Sequence, residues 1–183
     1  MRWLAWLMFV SAAALAANVS TAPEYSIKAG YILLFTRYVE WPKGAFTSAD
    51  APLEICLLGT DPFGSVLDKT MAGQRSQHRA LNVRRLPDVQ AAQGCHVLFL
   101  GSATLEQTRQ WLDALAGEPV LTITEDPDAL GHGAALCFVR EIADGKARIR
   151  FDASLPSMQR AGLSASSQML VAARKVHRDN PGI

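Results

Sequence analysis

The stretch LEICLLGTDPFG, Leu53 to Gly64, decides the fold of this chain. Leu53 to Gly59 is short, apolar and followed at once by a turn, the pattern of a strand buried on both faces. Asp61-Pro62 then reads as a helix start, an Asp cap with proline at the first helical position. That helix is expected to run to about Met71, before Gly73. A buried strand handing over directly to a helix is the opening of a βαβ unit, and the rest of the chain repeats the theme.

Downstream, Leu81–Leu86 (LNVRRL) is a strand of mixed polarity suited to a sheet edge. His96–Leu100 (HVLFL) and Val120–Thr124 (VLTIT) are further apolar strands, separated by a helix over Thr104–Ala116 that ends before Gly117. Such alternation argues for a mostly parallel sheet with helices on both faces. Ala134–Arg140 and Ala147–Phe151 flank Asp144-Gly145, a hairpin signal. Ser154–Ala161 and Ser166–His177 read as helices split by Gly162. Upstream, Glu24–Trp41 reads as a helix with Ile27, Tyr31, Leu34, Phe35 and Tyr38 at helical spacing, Glu24 and Lys28 one turn apart, and Pro42 as its stop. The expected fold is one α/β domain over residues 23–183, with a parallel core, a C-terminal antiparallel hairpin and helical covers.

The first 22 residues are of another kind. Met1-Arg2 is followed by an apolar run, Trp3 to Leu15, broken only by Ser11. Cleavage is expected after residue 16 or 22, at Ala14-Leu15-Ala16 or Ser20-Thr21-Ala22. The run is short for a spanning helix, which needs roughly 20 apolar residues. No lipobox cysteine follows it. The reading is a secretory signal, and export leaves roughly 160 to 170 residues, the size of one ordinary domain. The formal charge of +1 falls to zero once Arg2 is removed. A neutral chain has no net field to gather nucleic acid or anionic lipid.

Catalytic signatures are not found. No G-x-S-x-G or H-E-x-x-H occurs, and His78, His96, His132 and His177 are scattered without ligand spacing. GTDPFG lacks the lysine of a phosphate loop. Glu125, Asp126 and Asp128, with Asp61, follow strand ends and could hold a divalent cation, but Asp126-Pro127 more simply caps a short helix. No enzyme, cofactor or metal site is therefore expected. Cys56 lies in the first of these strands and Cys95 just before the third. In the flavodoxin-like order 2-1-3 those strands are neighbours, which makes a disulfide plausible in an oxidising compartment. Cys137, between Leu136 and Phe138, is expected to be buried.

Taken in order, Lys28-Ala29-Gly30-Tyr31, FTRYVEWP (35–42), ICLLGTDPFG (55–64), CHVLFL (95–100), VLTIT (120–124) and Arg160-Ala161-Gly162-Leu163 with Ser166-Ser167 and Leu170 resemble the YfiR-like family of periplasmic proteins. The resemblance implies a non-enzymatic regulator that represses an inner-membrane diguanylate cyclase and is relieved by an outer-membrane lipoprotein. It also implies a homodimer and a disulfide at Cys56 and Cys95, which match a family cysteine pair. Cys137 matches a third position whose expected partner, near Leu130, is absent here. The partner implied is the periplasmic domain of a membrane cyclase or sensor kinase. The alternative is a periplasmic receptor that binds a small ligand at the strand ends.

Arginine and aromatic residues favour interface cores, and two segments have that make-up. One is the end of the first helix, with Arg37, Tyr38 and Trp41; the other is the turn with Met158, Arg160 and Leu163 around Gly162. Arg37, Trp41, Arg160 and Leu163 are the expected contacts.

Overall fold

Four apolar strands lie side by side because their side chains alternate between two cores. The computed structural model describes residues 22–178. Residues 1–21, which hold nearly all of the segment read as an export signal, lie outside it. In β2 (Leu53–Leu58), Leu53, Ile55 and Leu57 enter one core while Cys56 and Leu58 enter the other. The same alternation continues in β5 (Val97–Leu100), β6 (Leu121–Thr124) and the first half of β7 (Leu136–Ala143).

With β4 (Arg79–Leu86), these strands form a parallel array in the order β4-β2-β5-β6-β7. β8 (Lys146–Ser154) returns antiparallel to β7 through Asp144-Gly145. The two-residue β3 (Arg75–Ser76) closes the edge outside β4. The result is a single mixed α/β domain, as the alternation of elements implied.

One core lies under α1 (Ala22–Tyr38), α2 (Ser65–Met71), α4 (Leu155–Arg160) and α5 (Ser167–Ala172). Its centre is aromatic: Phe35 meets Phe151 edge-on with ring centroids 4.8 Å apart, and Tyr31 and Phe138 join them. The other core lies under α3 (Leu105–Ala114) and short 3-10 turns at Val89–Ala92 and Pro127–His132. No described helix is long and apolar enough to cross a membrane.

Several elements depart from the sequence reading. α1 ends at Tyr38 rather than Trp41, because Val39–Glu40 becomes a strand, β1, paired with β9 (Ser164–Ala165). α1 also turns Ala29, Ile32 and Phe35 inward and leaves Ile27 and Leu34 exposed. The helix is apolar on most sides, so spacing alone did not choose the face; the aromatic cluster did. Asp61 does not cap α2. Its carboxylate accepts from the backbone N–H groups of Phe63 (2.8 Å) and Gly64 (3.1 Å), and the helix begins at Ser65. The helix expected over Ser166–His177 stops at Ala172, and Lys175–His177 forms β10, parallel to β8. Arg174 drives that change. Its N–H donates to the carbonyl of Phe151 and its guanidinium pairs with buried Asp152 at 2.8 Å, so the chain is drawn to the sheet edge.

Candidate functional site

The two segments marked out by composition are joined by a short strand pair. β1 and β9 pair with Val39 opposite Ala165 and Glu40 opposite Ser164. Gly162 has φ of 68°, and a side chain there would meet Pro42 at 3.3 Å, so only glycine fits without strain. Beside this joint runs an open groove of about 450 Å³ lined by Arg37, Tyr38, Glu40, Trp41, Gln77 and Ser166. Its floor is fixed by the Gln77 amide, which donates to the carbonyls of Thr36 (3.1 Å) and Val39 (2.7 Å). Ser76 donates its hydroxyl to the same Thr36 carbonyl at 2.7 Å.

The expected contact residues fare differently. Arg37 is exposed in the groove and donates to Gln74 Oε1 at 3.1 Å. Trp41 is half-buried; its indole N–H donates to the carbonyl of His96 at 3.1 Å, which holds the ring rim at the groove wall. Leu163 is only 4 % exposed and belongs to the α1-side core, so it is corrected from a surface contact to a packing residue that ties the turn down. Arg160 is exposed but opens onto a different, smaller cleft beside His132 and Gly133, with its guanidinium on Ser157 Oγ at 3.1 Å. Sequence reasoning missed Glu40, Gln77 and Ser166. Gln77 arrives on a turn with positive φ at two non-glycine residues, Gln77 and His78, which carries no local signature.

Behind the groove a clamp holds the loop that follows Trp41. His96 Nδ1 accepts from the Glu54 N–H at 3.1 Å, so the ring proton sits on Nε2 and is donated to the Ala45 carbonyl at 3.1 Å. Phe46 stacks on the imidazole at 4.1 Å, and the Arg79 guanidinium lies 3.7 Å from the centre of the Phe46 ring. Burial pushes the His96 pKa below the ordinary histidine value. The neighbouring Cys95 is joined to Cys56, 39 positions away in sequence, with alpha carbons 6.0 Å apart. Cys137 is free and buried; burial, with the Asp152 charge second, pushes its thiol up to about 12. It is not a ready thiolate nucleophile.

At the strand C-terminal ends a cleft of about 330 Å³ is lined by Gly101, Ser102, Thr108, Thr124, Glu125 and Asp126. Its acids already serve the fold. Glu125 accepts from Lys28 at 2.7 Å and from the Tyr25 hydroxyl at 3.2 Å, and Lys28 also pairs with Glu24. Burial opposes the Lys28 charge, but the hydrogen bonds to Glu125 and Glu24 outweigh it and raise its pKa. Asp126 caps the 3-10 turn through the Asp128 N–H. Asp61 is held by Arg85 at 2.9 Å. Among the described residues, no group of three or more His, Cys, Asp or Glu side chains is arranged to hold a metal ion.

The arrangement thus offers a preformed, aromatic and arginine-bearing surface. A family model described as YfiR/HmsC-like matches residues 25–174, from the first helix to the residue before the last strand. That family is regulatory rather than catalytic, and its members are periplasmic regulators of diguanylate cyclase signalling. With the match covering all of the α/β domain but its two ends, this chain belongs to the YfiR/HmsC-like family.

Proposed function

We propose that this protein is exported through its N-terminal segment, binds the periplasmic sensor region of an inner-membrane diguanylate cyclase and holds that enzyme inactive. The observation that carries the reading is the family match over residues 25–174. The groove between the end of α1 and β9 is the proposed contact. Arg37, Tyr38 and Trp41 give it the composition of an interface hot spot. The clamp at His96 and the β1–β9 joint hold it rigid, which lowers the ordering cost of binding. Arg160, on the neighbouring cleft, is a second and separate contact. Homodimer formation and release by an outer-membrane lipoprotein belong to the same proposal. A sensor kinase in place of the cyclase would use the same face. The receptor alternative gains nothing from the strand-end cleft, whose carboxylates are engaged by Lys28, Tyr25 and backbone N–H groups.

The test is co-purification from detergent-solubilised membranes, with cellular cyclic-di-GMP measured in parallel. Arg37→Glu is expected to lose the cyclase and raise cyclic-di-GMP, while unfolding free energy changes by no more than about 0.5 kcal/mol, as for ordinary surface changes. Arg160→Glu, tested alone, ranks the second cleft. If neither variant alters capture or cyclic-di-GMP, this face is not the contact. If the wild-type chain captures no cyclase or kinase, the regulatory reading itself fails.

A further inference from the structure

Charge on this nearly neutral chain is segregated. Residues 87–135 carry seven acidic side chains against one arginine, a net of −6. Residues 136–178 carry eight lysines and arginines against three acids, a net of +5. Four of these cations, Arg140, Lys146, Arg148 and Arg150, lie on the β7–β8 hairpin beside the three acids Glu141, Asp144 and Asp152, and the hairpin's outer end reaches beyond the body of the domain. Ile149 is its last buried residue, with the Tyr31 hydroxyl donating to its carbonyl at 3.3 Å. From there to the turn, every side chain between 140 and 148 is exposed or half-buried.

Ile142 stands out in this projection at 66 % exposed, opposite Ala147 on the ladder. Cations flank it on both faces of the hairpin. Arg140 is two residues away on the same face, while Lys146, paired with Ala143, and Arg148, paired with Glu141, lie on the opposite face. The two acids of the hairpin's outer part, Glu141 and Asp144, both lie against Arg148, Asp144 at 3.4 Å. Arg140 and Lys146 form no ion pair among the described residues.

We infer that the hairpin tip docks on anionic lipid headgroups, with Ile142 entering the interface and Arg140 and Lys146 at phosphate level. A lone aliphatic side chain on a projecting tip, with long flexible cations on both faces of that tip and no shaped cavity, suits a planar charged surface met end-on. A protein interface would call for a packed core. Lysine and arginine stems let their charges stay at headgroup depth while the apolar tip goes deeper. The acid-rich stretch is repelled by the same surface, so the segregation orients the molecule. The inference rests on the reading that the protein works at the periplasmic face of the inner membrane.

The experiment is sedimentation with vesicles of phosphatidylglycerol and phosphatidylethanolamine, and with phosphatidylcholine vesicles, using the chain from residue 23 onward, which carries the described fold. No cyclase is present, so the outcome is separate from the co-purification result. Binding to the anionic vesicles at low salt is expected, fading as salt rises and absent on phosphatidylcholine. Each cation removed should cost about fivefold in partition, and the Arg140→Glu, Lys146→Glu pair about 25-fold or more. Ile142→Ser should weaken binding without changing its salt dependence, and Arg109→Glu, on α3, should leave it unchanged. Absence of binding to anionic vesicles at low salt overturns the inference whatever the variants do. Equal binding to phosphatidylcholine, or undiminished binding by the charge-reversed pair, does the same. A charge-reversed pair that loses the membrane enzyme, in a chain that never bound vesicles, would assign the tip to an acidic protein surface instead.

Discussion

Ser166 donates its backbone N–H to the carbonyl of Tyr38 at 2.8 Å, so the chain just after the C-terminal turn is hydrogen-bonded directly to the last turn of the first helix. Residues 128 positions apart thereby share one surface. The groove proposed as the partner contact exists only while that joint is closed.

The joint should be sensitive at Gly162. Gly162→Ala is expected to destabilise by about 1 to 2 kcal/mol, because the left-handed backbone penalises a side chain and the new methyl presses on Pro42. Gly94→Ala is the comparator, with φ of 77° but nothing within 4 Å of the added carbon. Urea midpoints for the two variants separate the backbone cost from the Pro42 contact. Equal losses would mean that Pro42 simply moves aside.

Removing the cross-link should cost far more. A closed loop of about 40 residues is worth about 4 kcal/mol on the chain-entropy model, and Cys56→Ala is expected to lose about 2 to 5 kcal/mol. Non-reducing peptide mapping should recover the Cys56–Cys95 pair with Cys137 alkylated only after unfolding. Rapid labelling of Cys137 in the native protein would contradict its burial and its raised pKa.

Acid should loosen the loop after Trp41 before it unfolds the domain. The folded-state pKa of His96 lies below its unfolded value of about 6.5. Its contribution is therefore complete above that value and is lost as pH falls through the lowered one. Protonation places a hydrogen on Nδ1, against the Glu54 N–H it now accepts from. The protection factor of the Glu54 amide, which corrects for the slower intrinsic exchange in acid, should fall on going from pH 7.5 to 5. The fall in melting temperature over that range should be smaller in His96→Gln than in wild type. An identical fall in both would remove His96 from the acid response.

Export is checked at the N-terminus. Protein recovered from the periplasm should begin at residue 17 or 23, read by Edman sequencing or intact mass. An intact Met1 in the cytosol would defeat the export reading.

What could be read from the sequence was whatever is encoded locally. LEICLLG, HVLFL and VLTIT are long enough and apolar enough to be strands buried on both faces, and Asp144-Gly145 names its own hairpin. The neighbouring placement of Cys56 and Cys95 followed from strand order. What escaped was whatever depends on a distant partner. Lys175–His177 continues a helical pattern until Arg174 meets Asp152, and the two-residue strands β1 and β9 exist only as each other's partner. The candidate groove falls in that second category. Arg37 and Trp41 were visible as composition, but Gln77 and Ser166 reach the groove only through tertiary contacts, and Leu163, similar in composition, went to the core.

The Cys56–Cys95 bond has a consequence for proteolysis. It encloses α2, β3, β4 and the exposed turn at Gly73–Arg79 in a covalent ring. A single cut anywhere between Leu57 and Gly94 leaves both fragments on one molecule, with β2 and β5 still paired across the break. A nick in this exposed stretch thus does not divide the protein, and such damage would show only after reduction, as two bands where there had been one.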